Sequence, residues 1–524
     1  MRKLGRNLRK SSRAGAAVPA DDRETGQQAD ERLDSSLSGT ISYLRSKMGG
    51  SSDVVIRRLQ NRGPAGEDVA VCYIGGLIDQ MLLSKLIDDL DKRFFIVDQD
   101  YPSEPLADQI GAGNVKRIYS GTDLISAILS GSAAIVIDGA QGAIAASIPG
   151  GPRRSVEEPS TQTVIRGPKE GFTEEMSTNM ALLRRKIRSP DLRFESRTVG
   201  TYTQTKVVVA YIAGVADPDV LQEVFNRLDA IHTDSILESG YIEEFIQDTT
   251  FTPFPTIMNT ERPDAAAGSL LEGQVVILVD GSPFVLICPV TFFKFFLSSE
   301  DYYQRYDISS FLRGIRLLAF LVAMLLPALY IAVTTFHPEM LPTTMLISLA
   351  AQREGTPLPA LLEALLMEIT FEVIREAGVR MPRVVGSAIS IVGALVLGQA
   401  AVQAGLVSAA MVIIVSFTAI SNFVIPTFGM SSAVRLIRFG LMILAGTFGL
   451  YGILAGLIPI LMHLVSLSSF GVPYLLPVAP LSFTNMKDVF IRAPWPKMKK
   501  RPAYINEDNK TRQGSVPNDG LIKK

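Results

Sequence analysis

The feature that most constrains this chain is where its charges are missing. No Asp, Glu, Lys or Arg occurs from Leu317 to Pro338 or from Val384 to Val434, and from Phe439 to Met486 only His463 can carry a charge near neutral pH. A bilayer core about 30 Å thick takes roughly 20 apolar residues per helix, so the C-terminal part is expected to cross a membrane several times. The net charge of −1 over 524 residues is then an average over unlike regions. Spans are expected at about 315–336, 384–405, 407–428 and 437–462, the first kinked or opened at Pro327.

A further apolar segment, PLPALLEALLMEITFEVIREAG (357–378), carries four glutamates and is expected to be interfacial or re-entrant. Arg305, Arg313 and Arg316 before the first span, and Lys487, Arg492, Lys497, Lys499, Lys500 and Arg501 after the last, favour a cytoplasmic location for both ends, hence four crossings. Four crossings leave Arg375, Arg380, Arg383, Arg435 and Arg438 outside. If the acidic helix also crosses, these return inside but the tail goes out.

Residues 1–52 read as a disordered basic and polar tail, opening on RKLGRNLRKSSR without the apolar stretch of a signal peptide. The first 300 residues are therefore expected to stay on the cytoplasmic side. The tail lies beside an anionic leaflet or is simply solvated.

From 53 to 296 short β-rich runs alternate with amphipathic helices. VAVCYIGGLIDQMLLSKLIDDL (69–90) aligns without gaps on VVVAYIAGVADPDVLQEVFNRL (207–228), and AAIVIDGAQGAI (133–144) on VVILVDGSPFVL (275–286), at offsets of 138 and 142. This predicts two related α/β subdomains, 53–150 and 190–296, with 151–189 as linker. They precede an α-helical membrane domain (297–483) and a basic C-terminal tail (484–524). The fold class is thus a soluble α/β N-terminal domain of two related subdomains followed by a multi-span α-helical membrane domain. Cys72 and Cys288 lie in strand-like apolar runs and are expected to be buried thiols, not a disulfide.

Enzymatic signatures are missing: GAGNVK (111–116) lacks the end of a phosphate-binding loop, and His232, His337 and His463 are far apart. No catalytic residue, metal, cofactor or nucleic-acid partner is expected. The pairs Asp138-Gly139 and Asp280-Gly281 read as hairpin turns.

Two segments are more informative. Glu368, Glu372 and Glu376 recur every fourth residue and share one helix face; Glu363 lies apart. They form local pairs, Glu372 with Arg375 and Glu376 with Arg380, or sit at the interface, or, repeated around an oligomer axis, attract cations to a pore mouth. GSAISIVGALVLGQAAVQAG (386–405) has two faces. Gly386, Ser390, Ala394 and Gly398 form a small-residue packing run. Roughly opposite lie Val392, Leu395, Val396, Gln399 and Gln403, and amides facing lipid would lose hydrogen bonds. The segment is either a pore-lining helix gated near Val392 or Val396, or a packed helix whose glutamines bond to neighbours.

Long stretches carry a family resemblance. EEPSTQTVIRGPKEGFTEEMSTNMALLRRKI, YIEEFIQD, PFPTIMNTERPDAAAGSLLEGQVVILVDGSPFVLICPVTFFKFFLSSEDYYQRY, LPALYIAVTTFHPEMLPTT, REGTPLPALLEALLMEITFEVIREAGVRMPRVVGSAISIVGALVLGQAAVQAGLVSAAMVI and SFGVPYLLP resemble the A subunits of spore germinant receptors, the GerA family. The resemblance implies a multi-pass protein of the spore inner membrane with a cytoplasmic N-terminal domain. It also implies a transporter-like B subunit and a lipoprotein C subunit as partners, and a homo-oligomer, proposed as a pentamer, that conducts monovalent cations with the 384–405 helix at the pore. The family also includes a paralogous membrane protein that amplifies germination; a reading of a different class is a non-conducting signalling scaffold whose spans only anchor the duplicated soluble domain. A secondary transporter fits less well, because the repeat lies in the soluble part.

Overall fold

The computed structural model describes residues 32–60, 68–94, 114–150, 158–159, 162–380, 396–482, 486–499, 501 and 511–512. Ser36 opens the first helix, α1 (Leu37–Met48), by accepting from the Gly39 N–H, and Gly49 closes it in the left-handed region at φ 60°. Leu37, Ile41, Leu44 and Met48 recur on one helical face and are buried. α1 and the residues up to 52, expected to belong to a disordered tail, are instead part of the first subdomain, while residues 1–31 lie outside the described residues.

That subdomain is a five-stranded antiparallel sheet. Its strands β1 (Val54–Leu59), β2 (Val69–Ile74), β3 (Val115–Ile118), β4 (Ser132–Ile137) and β5 (Ala143–Ser147) are ordered β1-β2-β4-β5-β3, and helices α2 (Gln80–Phe94) and α3 (Gly121–Leu129) connect them. Every residue of β2 and β4 is buried. Side chains alternate across the strand: Ala70 and Cys72 pack with α1 and α3, while Val69 and Val71 pack with Leu83, Leu86 and Leu90 of α2. A strand covered on both faces has no polar side, so these runs read as continuously apolar.

The second subdomain repeats the first. It comprises α4 (Met176–Lys186), β6 (Leu192–Val199), β7 (Thr205–Ile212), α5 (Pro218–Asp229), α6 (Ser239–Ile246), β8 (Met258–Thr260), α7 (Pro263–Glu272), β9 (Val275–Val279) and β10 (Val285–Cys288), in the sheet order β6-β7-β9-β10-β8. The register repeats as well. Val69 faces Ile137 as Val207 faces Val279, and Ile135 faces Ile144 as Ile277 faces Leu286. The offsets of 138 and 142 thus relate residues in equivalent pairing positions. α4 occupies the place of α1, so the expected linker 151–189 contains the second subdomain's first helix. Cys72 and Cys288 are both buried and free.

The core of the second subdomain runs without a break into the helical domain: Leu192, Phe194, Val208 and Leu270 belong to one cluster with Phe292, Phe295, Phe320, Ala328, Met442 and Tyr474. α8 (Tyr306–Thr335) is the first long apolar helix and remains unbroken at Pro327. After it come α9 (Thr343–Glu354), which was not anticipated, α10 (Ala360–Arg380), a helix α11 described over 396–403, α12 (Ala409–Val424) and α13 (Phe428–Ser466). α8 and α13 are each long and apolar enough to cross a membrane.

α13 is a hairpin and not the single span expected over 437–462. Gly449 has φ 63° and ψ −141°, outside the helical region. A Cβ on Gly452 would run into the Leu444 carbonyl, and one on Gly456 would lie 2.7 Å from Leu441 Cδ2. In a straight helix those partners would be ~12 Å and ~22 Å apart at 1.5 Å per residue. Only a glycine tolerates this bend, since its Cβ would also sit 2.9 Å from Phe336 Cβ. Both ends of the hairpin reach the second subdomain: Thr427 Oγ1 donates to the Phe295 carbonyl at 3.1 Å, and His463 Nε2 lies 2.8 Å from Thr252 Oγ1. The chain then returns along that subdomain, where Tyr474 donates to the Pro255 carbonyl at 2.7 Å.

The expected basic tail from 484 is also built in, in part. Asp488 accepts from Arg313 at 3.0 Å and from the Tyr302 hydroxyl at 2.8 Å, which ties 486–498 to the base of α8.

Candidate functional site

The site is assembled from α10, α11, α12 and the first half of α13. α11 ends at Gly405, which takes φ 66°, and Ser408 then caps α12 by accepting from the Met411 N–H at 3.2 Å. Glu363 holds this turn from α10, accepting from the Ser408 N–H at 2.5 Å and the Ser408 hydroxyl at 2.6 Å, with no exposure to solvent. A carboxylate at a helix N-terminus is favoured by the N–H groups exposed there. The sequence set Glu363 apart from the other glutamates; its partner lies 45 residues away, beyond any local signal except the capping serine.

On α11, Gly398 faces the chain's own interior, where an added Cβ would meet Val412 Cγ1 of α12 at 3.7 Å. Val396, Gln399 and Gln403 are exposed. Gly386, Ser390, Val392, Ala394 and Leu395 lie outside the described residues.

The glutamate face points at arginines. Glu368 Oε2 lies 3.0 Å from Arg438 Nη2, with both side chains 1% exposed. Glu372 is shared by Arg435 at 3.0 Å, Arg375 at 3.2 Å and Arg438 at 3.5 Å, and exposed Glu376 pairs with Arg380 at 2.6 Å. The two local pairs expected from spacing are therefore present. Arg435 and Arg438 add a bridge from α10 to α13 that spacing within one helix does not disclose. Burying an ion pair this deep stabilises little against an apolar contact, but removing one partner leaves a bare charge at a cost of about 3–5 kcal/mol.

These contacts also orient α10. Its start lies by the hairpin bend, where a Cβ on Gly446 would strike Leu361, and its Glu372 end lies by Arg435, a few residues from Thr427 and the soluble domain. At 1.5 Å rise its 21 residues extend ~31 Å.

Chemistry of other kinds is sparse. Among the described residues no three His, Cys, Asp or Glu are placed to hold a metal ion. A groove of about 360 Å³ between α8, α9 and α12 is lined by Leu326, Val333, Met345 and Ile413 and is almost wholly apolar. In the soluble domain, burial pushes the Glu243 carboxyl up to about 7, with the Glu238 charge adding to the shift and Asn259 opposing it.

Two antiparallel α/β units fused through a continuous core to a helical domain with a hairpin of apolar helices define a membrane-anchored two-part protein. The chain belongs to the GerA family: residues 42–504 match the Bacillus/Clostridium GerA spore germination protein. It is 49% identical to Spore germination protein KA of Bacillus subtilis (strain 168), over 93% of this chain and 90% of that one. It is 39% identical to Spore germination protein GerLA of Bacillus cereus, over 91% and 97% of the two chains. Among solved structures it is similar to the N-terminal domain of the A subunit of the Bacillus megaterium spore germinant receptor GerK3. That likeness has 38% identity and a TM-score of 0.41, and covers 51% of this chain and 99% of that one.

Proposed function

We propose that this chain is the A subunit of a nutrient germinant receptor in the spore inner membrane. In this reading copies of the chain close into a ring, a pentamer, around a gated pore for monovalent cations. Its relatives are spore germination proteins, and the partners are a transporter-like B subunit and a lipoprotein C subunit. The observation that carries the pore is on α11: Val396, Gln399 and Gln403 are uncovered by their own chain, while Gly398 seats the helix on α12. Amides left to lipid would forfeit hydrogen bonds, whereas a water-filled ring interior satisfies them. Val392, Leu395 and Val396 supply the apolar constriction.

The proposed topology has six crossings: α8, α10, the 384–405 helix, α12 and both halves of α13. It is supported by the hairpin at Gly449, whose two ends meet the second subdomain. Six crossings return the tail to the side of the soluble domain and bring Arg375, Arg380, Arg435 and Arg438 to that side too. The conflict that four or five spans left with the distribution of basic residues disappears. The cation-attracting role of Glu368, Glu372 and Glu376 belongs to the open state, when α10 parts from Arg435 and Arg438.

Replacing Val392 or Val396 with Ser tests the reading. Proteoliposomes carrying the full chain should then leak potassium faster than with the native sequence. Unchanged retention in both variants favours the scaffold reading, in which the arginine–glutamate bridge only glues helices together.

A further inference from the structure

Arg492 is 3% exposed, and its Nε and Nη2 are buried without a hydrogen-bond partner. Among the described residues no carboxylate pairs with it. Asp301 pairs with Arg313 and Arg316, and Asp488 with Arg313. The guanidinium lies instead against an aromatic pair, 5.9 Å from the centre of Tyr302 and 5.7 Å from that of Trp495, whose rings are themselves in contact at 5.8 Å. Cation–π contact of this kind offsets part of the cost of burial, but it does not neutralise a charge. Hydrogen bonds fix the position. The Arg492 N–H donates to Ser310 Oγ at 3.1 Å and the Trp495 indole N–H donates to the Tyr302 carbonyl at 3.3 Å.

The location indicates what supplies the missing negative charge. Ser310 is near the start of α8, among its exposed apolar residues Ile308, Phe311 and Leu318. Ile491 beside Arg492 is exposed as well, and a half-exposed Trp is a side chain suited to the membrane–water boundary. Arg313 Nη2 in the same cluster is also buried and unpartnered. Lys497 and Lys499 follow in the chain and add positive potential at short range.

We propose that Arg492, resting against the Tyr302–Trp495 pair, is the centre of a site for a phosphate group carried by the headgroup of an anionic membrane lipid. A guanidinium presents paired N–H donors that match phosphate oxygens, and it is more weakly hydrated than an ammonium. Occupation fastens 486–498 to the base of α8, so the lipid bridges the C-terminal segment and the first crossing. The site is independent of whether the chain conducts ions. Free inorganic phosphate has the same chemistry, and the experiment separates the two sources.

The full chain in detergent is titrated with phosphatidylglycerol, phosphatidylcholine or inorganic phosphate while its thermal unfolding is followed. Phosphatidylglycerol should raise Tm and phosphatidylcholine should not. In Arg492→Gln the concentration needed for half the shift should rise about tenfold, the loss of one charge-assisted interaction. Inorganic phosphate giving the same Arg492-dependent shift supports the site with free phosphate as its occupant. Equal responses to phosphatidylglycerol in the native chain and Arg492→Gln overturn the proposal, as does an equal response to both lipids. If Arg492→Gln does not fold, Arg492→Lys keeps the charge and loses the paired donors; it should need several-fold more phosphatidylglycerol, and an unchanged response overturns the proposal. Glu507 and Asp508 lie outside the described residues. If Glu507→Gln or Asp508→Asn lowers Tm as far as Arg492→Gln does, and phosphatidylglycerol has no effect on the native chain, the counter-ion is internal and the lipid site is overturned.

Discussion

Arg184 and Asp53 join the two halves of the soluble domain through a two-pronged ion pair. Arg184 Nε donates to Asp53 Oδ2 at 2.7 Å and Nη2 to Oδ1 at 3.0 Å, with both side chains shut off from solvent. Arg184 comes from α4 of the second subdomain and Asp53 precedes β1 of the first. Ser51 completes the joint, accepting from Arg184 at 3.2 Å and from the Phe194 N–H at 3.0 Å.

Removing one partner should strand the other. Arg184→Met is expected to cost about 3–5 kcal/mol, and Arg184→Met with Asp53→Leu considerably less, because the double variant leaves no bare charge. Urea unfolding of the three chains measures this. A double variant as damaged as the single one would mean that the joint holds by packing of Arg184 on Phe194 and not by charge.

Stability should depend on pH through Glu243. Burial favours its neutral form and raises the carboxyl from 4.5 to about 7. The folded protein therefore keeps a proton that the unfolded chain releases between those values. The stability due to that proton is complete below about pH 4.5 and is lost as pH rises through 7. The loss is on the order of 1–3 kcal/mol. Thermal unfolding of the native chain and Glu243→Gln across this window checks it: the variant should show a flatter slope, and parallel slopes would refute the assignment.

The hairpin predicts which residues lie on opposite sides of the membrane. Tyr451, exposed beside the Gly449 bend, and Tyr202, exposed on the second subdomain, suit substitution by Cys. The native thiols are poor competitors, since burial raises Cys72 to about 12 and Cys288 further. In right-side-out vesicles an impermeant maleimide should label Tyr451→Cys and spare Tyr202→Cys. Labelling of both from one side would rule out the reversal at Gly449. Gly449→Val should disrupt the bend itself, through about 1–3 kcal/mol of backbone strain and contact with Phe336 and His337.

Much of the soluble fold was legible because both copies of a buried strand must be apolar on both faces, and that kept VAVCYI and VVVAYI alike. What escaped notice was non-local. Asp138 and Asp280 do stand in turns, but each also accepts from the first N–H of a helix about a hundred residues earlier, Leu37 at 2.8 Å and Met176 at 3.3 Å. An Asp-Gly pair announces the turn and says nothing of that reach. α1 was hidden by its Gly- and Ser-rich flanks, although Leu37, Ile41, Leu44 and Met48 have helical spacing.

In the helical domain the apolar runs located the helices but not the reversal. Gly449 is one of five glycines between Gly440 and Gly456, and composition does not distinguish the one at the bend from those that pack. The glutamate spacing gave the Arg375 and Arg380 pairs, which lie within one turn. It gave no hint of Arg435 and Arg438, which reach α10 only because α13 folds back beside it.

The measurement closest to the central claim is single-channel recording of the full chain in a planar bilayer, with the mass of the assembly determined on the same preparation. A closed ring passing cation-selective current, with openings prolonged by Val396→Ser, is the result expected. A monomer that stays silent in both the native and the Val396→Ser form would contradict it.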